Sequence, residues 1–167
     1  SSDGVIGIYS TVNINANNVQ ILGPKSSDDQ SMYIGIQTGE DGSVLAKQLT
    51  LKDLTIGISV VDNSSINLDQ SSMQNNKIAV KANGSAATVE LLDVDITVPN
   101  NGKGLFTTKE AMIQMQGIDK SDAGINFTVG SAVYMRTGEV YLEKVNIINN
   151  STQDSSNQDN FGNTAVY

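Results

Sequence analysis

The sequence predicts an all-β protein, a right-handed parallel β-helix (β-solenoid) of about six to seven coils that is a segment of a longer rod. The first observation is a recurring pattern: an apolar residue, two spacers, an apolar residue, one spacer and a third apolar residue. Its copies are Leu91/Val94/Ile96, Leu51/Leu54/Ile56, Leu142/Val145/Ile147 and the weaker Ala16/Val19/Ile21. The second observation is that short alternating runs and Gly-containing turns precede the copies. Repetition at roughly 20–25 residues in strand-like sequence indicates stacked coils.

Composition agrees with this interpretation. Hydrophobic residues make up 38% of the chain and aromatic residues only 5%, which predicts a core of aliphatic side chains. Charged residues make up 17%, below the usual quarter, so Asn, Ser, Thr and Gly supply the polar turns instead. We therefore treat residues 1–167 as a single solenoid segment.

The first half of the chain divides into three coils. Ile6 and Ile8 alternate with other residues, as do Val12 and Ile14, and Ile21 ends the first coil. Residues 22–31 contain a proline and few apolar residues, which predicts a protruding loop. The second coil runs from residue 32 to 56 and the third from 57 to 73, where Ser71 replaces the middle apolar residue of the pattern.

The second half contains three further coils. The fourth runs from residue 78 to 96, and residues 99–102 form a second predicted loop. The fifth, irregular around 109–124, places Ile113, Met115 and Ile118 in the core and Lys120 at the third anchor position. The sixth ends at Ile147, and the polar tract 149–160 forms a third loop. The predicted buried residues are Leu51, Leu54, Ile56, Ile58, Val60, Leu68, Val89, Leu91, Val94, Ile96, Leu142, Val145 and Ile147.

Charge and residue types exclude several functions. A net charge of −8 offers no basic stripe for nucleic acid, and no apolar run is long enough to insert this segment into a membrane. The chain has no His and no Cys, which excludes Ser/His/Asp and Cys/His catalysis and His-ligated zinc. We predict no catalytic residue, metal or cofactor, and a monomer.

The coil openings carry a family resemblance. Gly7-Ile8-Tyr9, Gly35-Ile36-Gln37 and Ala132-Val133-Tyr134, with turn-and-strand pieces such as Gly42-Ser43-Val44 and Gly138-Glu139-Val140, resemble the pertactin-like passenger domains of bacterial autotransporters (type V secretion). The resemblance implies a secreted or outer-surface location and a virulence-related role as an adhesin or receptor ligand. One group of small passengers in such families activates host growth-factor receptors. The partner implied is a host-cell surface protein or glycan.

A polysaccharide lyase or hydrolase is the alternative function. β-Helix enzymes of this kind use clustered carboxylates, often with calcium. The candidates are Asp93 and Asp95, two residues apart on one face of a strand, and Asp53 at the equivalent position of its own coil. The other interpretation is that these acids lie on the solvated side or in a turn while Leu91, Val94 and Ile96 face the core.

Candidate partner-binding residues are Tyr9, Tyr33, Tyr134, Asp28 and Asp29. Tyr9 and Tyr134 share one position of the coil-start pattern, and tyrosines supply rigid, amphipathic contact area. The acids belong to a loop, where recognition often occurs. We expect a receptor to contact residues 24–31 or 149–160 with nearby Tyr side chains, through a positively charged patch that complements this acidic chain.

Overall fold

A computed structural model of the chain describes residues 4–24, 31–118 and 123–151, together with the backbone of 163–166. The regular structure in these ranges is all β-strand, without a helix. Three parallel sheets are stacked as a β-solenoid of about six coils, which confirms the predicted fold class. Each coil consists of three short strands, one in each sheet.

The strands have the following bounds. In chain order they are β1 (Val5–Ser10), β2 (Asn13–Asn17), β3 (Gln20–Leu22), β4 (Tyr33–Thr38), β5 (Ser43–Lys47), β6 (Thr50–Lys52), β7 (Ile56–Val61), β8 (Ser65–Asp69), β9 (Ser72–Gln74), β10 (Ile78–Asn83), β11 (Thr88–Leu92), β12 (Asp95–Thr97), β13 (Gly102–Thr108), β14 (Met112–Gln116), β15 (Gly124–Phe127), β16 (Gly130–Met135), β17 (Glu139–Glu143), β18 (Asn146–Asn149) and β19 (Asn163–Val166).

Every third strand belongs to the same sheet. Sheet A has the order β1-β4-β7-β10-β13-β16-β19, sheet B the order β17-β14-β11-β8-β5-β2, and sheet C the order β18-β15-β12-β9-β6-β3. Neighbouring strands lie about 4.8 Å apart, so equivalent residues of successive coils form columns that run along the rod. A residue is therefore surrounded mainly by its counterparts in the coils before and after it.

The core consists of aliphatic columns from all three sheets. One column of sheet C contains Ile21, Leu51, Met73, Ile96, Ile125 and Ile147. Close packing explains the glycine at the coil opening of β4. A Cβ on Gly35 would lie 2.6 Å from the carbonyl oxygen of Gly57 and 2.9 Å from Leu54 Cδ1, which is too close. Ten of the thirteen predicted core residues are buried, namely Leu51, Leu54, Ile56, Ile58, Val60, Leu68, Val89, Leu91, Val94 and Ile96.

The third anchor residue predicted for the second coil is wrong, because it lies one strand too late in the chain. Leu51, rather than Ile56, pairs with Ile21 on one side and Met73 on the other. Ile56 instead opens β7 in sheet A, where it pairs with Ile34. The anchor pattern occurs twice in overlapping form here, and the chain uses the copy Ala46/Leu49/Leu51.

The predictions for the last two coils also need correction. Leu142 is 37% exposed and Val145 and Ile147 are only partly buried. In the part of the chain that the structure describes, β17 and β18 are the last strands of sheets B and C and have a neighbouring strand on one side only. In the fifth coil, Ile113 and Met115 are buried as predicted, but Ile118 is 54% exposed. Lys120 lies outside the described residues, and Ile125 supplies the third anchor of this coil.

Candidate binding surface

The acidic pair proposed for catalysis is not formed. Asp93 follows Leu92 in the turn between sheets B and C, at the coil position of Gln70. Asp53 follows Lys52 in the turn after sheet C, at the coil position of Asn75. The two acids therefore belong to different turns, and the predicted equivalence is wrong.

Asp93 and Asp95 do not share a strand face either. Asp93 has a left-handed backbone, with φ of 49°, and Asp95 is the first residue of β12. Asp93 is nevertheless buried, at 3% exposure, and its Oδ1 accepts a hydrogen bond from the backbone N–H of Ile118 at 2.6 Å. This carboxylate therefore fixes the end of the regular part of the fifth coil. Among the described residues, no group of three His, Cys, Asp or Glu side chains is arranged to hold a metal ion.

The predicted tyrosines have different environments. The register confirms that Tyr9 and Tyr134 share a column, whose members are Tyr9, Gln37, Ser59, Lys81, Phe106 and Tyr134. Tyr9 is 56% exposed at one end of this column. Tyr33 lies four residues before the column position and packs against the core. Asp28 and Asp29 lie outside the described residues.

The Tyr9–Tyr134 column lies on the outer face of sheet A. Side chains alternate between the two faces of a strand, and the residues just before the column, such as Leu105 and Val133, are in the core. No member of the column belongs to that core. Phe106 and Tyr134 are both partly exposed on this face.

Phe106, Tyr134 and Lys103 form a compact group on this face. The ring centroids of Phe106 and Tyr134 are 5.4 Å apart, and the ring planes are tilted by 59°. The Nζ of Lys103 lies 4.8 Å from the Tyr134 centroid and 5.5 Å from the Phe106 centroid, within the range of cation–π attraction. With Lys81, the strand neighbour of Phe106, these residues are called the aromatic–lysine cluster below.

The charge on sheet A differs from that of the whole chain. The chain has 18 Asp and Glu residues and a net charge of −8. None of these acids lies in a strand of sheet A, whose charged strand residues are Lys81 and Lys103. Arg136 directly follows β16 and donates its backbone N–H to Thr107. The strands of this wall therefore carry only positive charge in an acidic protein, and the residues that directly follow them include both Arg136 and Asp62.

A second accessible feature lies at the end of sheet B. A surface pocket of about 450 Å³ is lined by Met112, Gln114, Met115, Tyr141, Leu142 and Glu143. Beside it, the Tyr141 hydroxyl donates a 2.6 Å hydrogen bond to Glu139. This hydrogen bond and the negative charge of Glu139 raise the pKa of Tyr141.

Sequence reasoning identified Tyr134 but missed Phe106, Lys81 and Lys103. The tripeptide Gly104-Leu105-Phe106 has the form of Ala132-Val133-Tyr134, so Phe106 could have been placed in the column from the sequence. The position of Lys103 over two rings depends on its side-chain conformation and on the strand register. No sequence pattern reports that contact.

Comparisons with known proteins identify no similar protein or family. No family model, curated protein or solved structure matches the chain. Within the described ranges, no helix has the length and apolar character needed to cross a membrane.

Proposed function

We propose that this chain is a recognition segment of a secreted or surface-exposed bacterial passenger protein, and that it binds host cells as an adhesin or receptor ligand. The aromatic–lysine cluster is the observation that carries the proposal. Tyr is one of the residue types enriched in the hot spots that dominate binding interfaces, and aromatic residues in general are enriched at interfaces. Here the aromatic residues of the cluster lie on the outer face of a sheet whose inner face carries buried residues such as Leu105 and Val133, so the rings themselves are not part of the core.

The bacterial passenger identity rests on the coil-opening resemblance and is compatible with the β-solenoid fold. The more specific possibility, an agonist of a host growth-factor receptor, rests on that resemblance alone. The enzyme alternative rested on Asp93 and Asp95 as neighbours on one strand face, with Asp53 at the equivalent position of its own coil. Asp93 instead lies in a turn before β12, and Asp53 lies in a different turn. Incubation with pectin, alginate and glycosaminoglycans tests it directly, and release of unsaturated products would establish an enzyme.

Binding of fluorescently labelled protein to endothelial or epithelial cells tests the proposal. The variant carries Phe106→Ser and Tyr134→Ser together, and the control is Tyr141→Ser, which removes an exposed ring on β17 of sheet B. We expect the double variant to lose most cell binding while the control and the melting temperature stay close to wild type. Equal binding by both variants would reject the cluster as the recognition surface.

The loops remain a competing location for the contact. Replacing 24–31 or 149–160 by an Asn-Gly turn tests the expectation that a receptor contacts those segments. Loss of binding after a loop replacement, with the fold intact, would assign recognition to that loop. Retained binding in both, combined with loss in the aromatic double variant, would assign it to the wall of sheet A.

A further inference from the structure

We infer that the aromatic–lysine cluster binds an acidic polysaccharide, an inference that rests on the recognition function proposed above. The cluster offers two kinds of contact at once. The partly exposed rings of Phe106 and Tyr134 can pack against the C–H face of a sugar, because an aromatic face carries partial negative charge and a large apolar area. The Nζ of Lys103, 4.8 Å from the Tyr134 centroid, can pair with a carboxylate or sulfate on that sugar.

The arrangement of the cluster favours a polymer over a single sugar. Lys81, Phe106 and Tyr134 occupy the same column in three successive coils. Successive strands are about 4.8 Å apart, which is close to the length of one sugar residue in an extended chain. A polysaccharide that runs along the rod would therefore contact a lysine and then two rings in consecutive residues.

Charge distribution favours an acidic ligand. The strands of sheet A contain lysines and no carboxylate, so an anionic chain that lies on this wall meets no fixed negative charge from the strands. The net charge of −8 still repels a polyanion at longer range. Binding should therefore be confined to this wall, and it should weaken as salt rises, because salt screens the attraction between exposed lysines and the anionic groups of the ligand.

The experiment measures binding of the folded protein to immobilised heparan sulfate chains at several salt concentrations. The test variants are Lys103→Gln and Tyr134→Ala. The charge-matched control is Lys52→Gln, an exposed lysine of sheet C, since the other strand lysine outside sheet A, Lys47, is paired with Asp69 at 2.9 Å. Tyr141→Ala, which removes an exposed ring on β17 of sheet B, is the control for loss of a ring. Tyr134→Phe keeps the ring and separates ring packing from any effect of the hydroxyl.

We expect Lys103→Gln and Tyr134→Ala each to weaken binding about tenfold, which is the usual scale for losing one stacked ring or one charge-assisted contact. Lys103→Gln should also make the salt dependence shallower. Tyr134→Phe, Lys52→Gln and Tyr141→Ala should bind within about twofold of wild type. Equal weakening by Lys52→Gln would show attraction to any lysine and overturn the inference, as would stronger binding to a DNA oligonucleotide than to heparan sulfate.

Enzymatic removal of surface glycosaminoglycans separates this inference from the proposed function. Loss of cell binding after the treatment supports an acidic polysaccharide ligand. Cell binding that survives the treatment but still needs Tyr134 would overturn the ligand class while the recognition function stands. If the wild-type protein bound heparan sulfate but did not bind untreated cells, the proposed function would be rejected. The inferred polysaccharide-binding site would still be supported.

Discussion

The buried side chain of Asn76 accepts a hydrogen bond from the backbone amide of Leu54, at 3.0 Å, through its Oδ1 atom. Its Nδ2 donates to the carbonyl oxygen of Leu51 at 2.9 Å. Ser71 has a related role in the same coil, since its Oγ accepts the N–H of Leu49 at 3.0 Å. These polar side chains satisfy backbone groups at turns, where the ladder of a sheet is interrupted. The departure of Ser71 from the apolar pattern therefore has a structural reason.

Replacing Asn76 should destabilise the solenoid strongly. Asn76→Ala leaves the Leu54 N–H and the Leu51 carbonyl buried without their partner, and each such loss costs on the order of 1–3 kcal/mol. We expect the free energy of unfolding to fall by about 3 kcal/mol in urea titrations. Asn15→Ala, on the exposed side of β2, is the control and should change stability by less than about 0.5 kcal/mol. Similar unfolding midpoints for the two variants would contradict a bridging role.

Replacing Thr107 with Val should stabilise the solenoid, in contrast to the replacement of Asn76. Its Oγ1 is buried and has no hydrogen-bond partner, whereas Ala82 and Val60, its counterparts in the two preceding coils, are apolar. Thr107→Val removes the unsatisfied hydroxyl at nearly constant volume, so we expect about 1 kcal/mol of added stability.

The matched control for Thr107→Val is Thr38→Val in the same column. Thr38 Oγ1 is within hydrogen-bonding distance of Ser64 Oγ, at 2.6 Å, and accepts the N–H of Val61. This variant should therefore lose about 1–2 kcal/mol. Calorimetric melting of both variants gives the comparison, and two shifts of the same sign would contradict the assignment of hydrogen bonds.

The sequence was sufficient for the fold class and for most of the core. Periodic aliphatic residues such as Leu91, Val94 and Ile96 predict inward columns because the side chains of a strand alternate. The register of the second coil was not determined, because Ala46/Leu49/Leu51 and Leu51/Leu54/Ile56 satisfy the same pattern. The pairing of Leu51 with Ile21 and with Met73 decides which of the two copies is used. Both pairs join different coils, so a local sequence pattern cannot predict them.

The candidate surface was only partly predictable for a related reason. Tyr9 and Tyr134 could be aligned by their coil openings, which are local in sequence. The contact of Lys103 with Phe106 and Tyr134 joins two coils and depends on how the long lysine side chain folds back. The burial of Asp93 was also missed, because an acid next to the core pattern is usually solvated, and its hydrogen bond to Ile118 arises from the irregular fifth coil.

The titration of Tyr141 is expected to depend on Glu139. The hydrogen bond to Glu139 and the charge of that carboxylate both favour the protonated phenol, so the pKa of Tyr141 is raised. Ultraviolet titration of the phenolate, taken as the difference between wild type and Tyr141→Phe, should show ionisation above the ordinary tyrosine range. In Glu139→Gln the transition should move to lower pH, because the negative charge is gone. An unchanged titration in that variant would mean that the pair does not form in solution.

Val94 tests the central register of the solenoid. It lies between Leu91 and Ile96 at 0% exposure, in a coil with neighbours on both sides. Val94→Asp would place a carboxylate in this narrow apolar interior without a cation or a built hydrogen-bonding site, and an uncompensated buried charge costs several kcal/mol. We expect a large fall in melting temperature or loss of the cooperative transition in circular dichroism. Leu45→Asp makes the comparable chemical change at a residue that is 55% exposed on β5, and it should melt close to wild type. If Val94→Asp melted as Leu45→Asp does, Val94 would have to face solvent, and the inward position of the segment from Leu91 to Ile96 would be wrong.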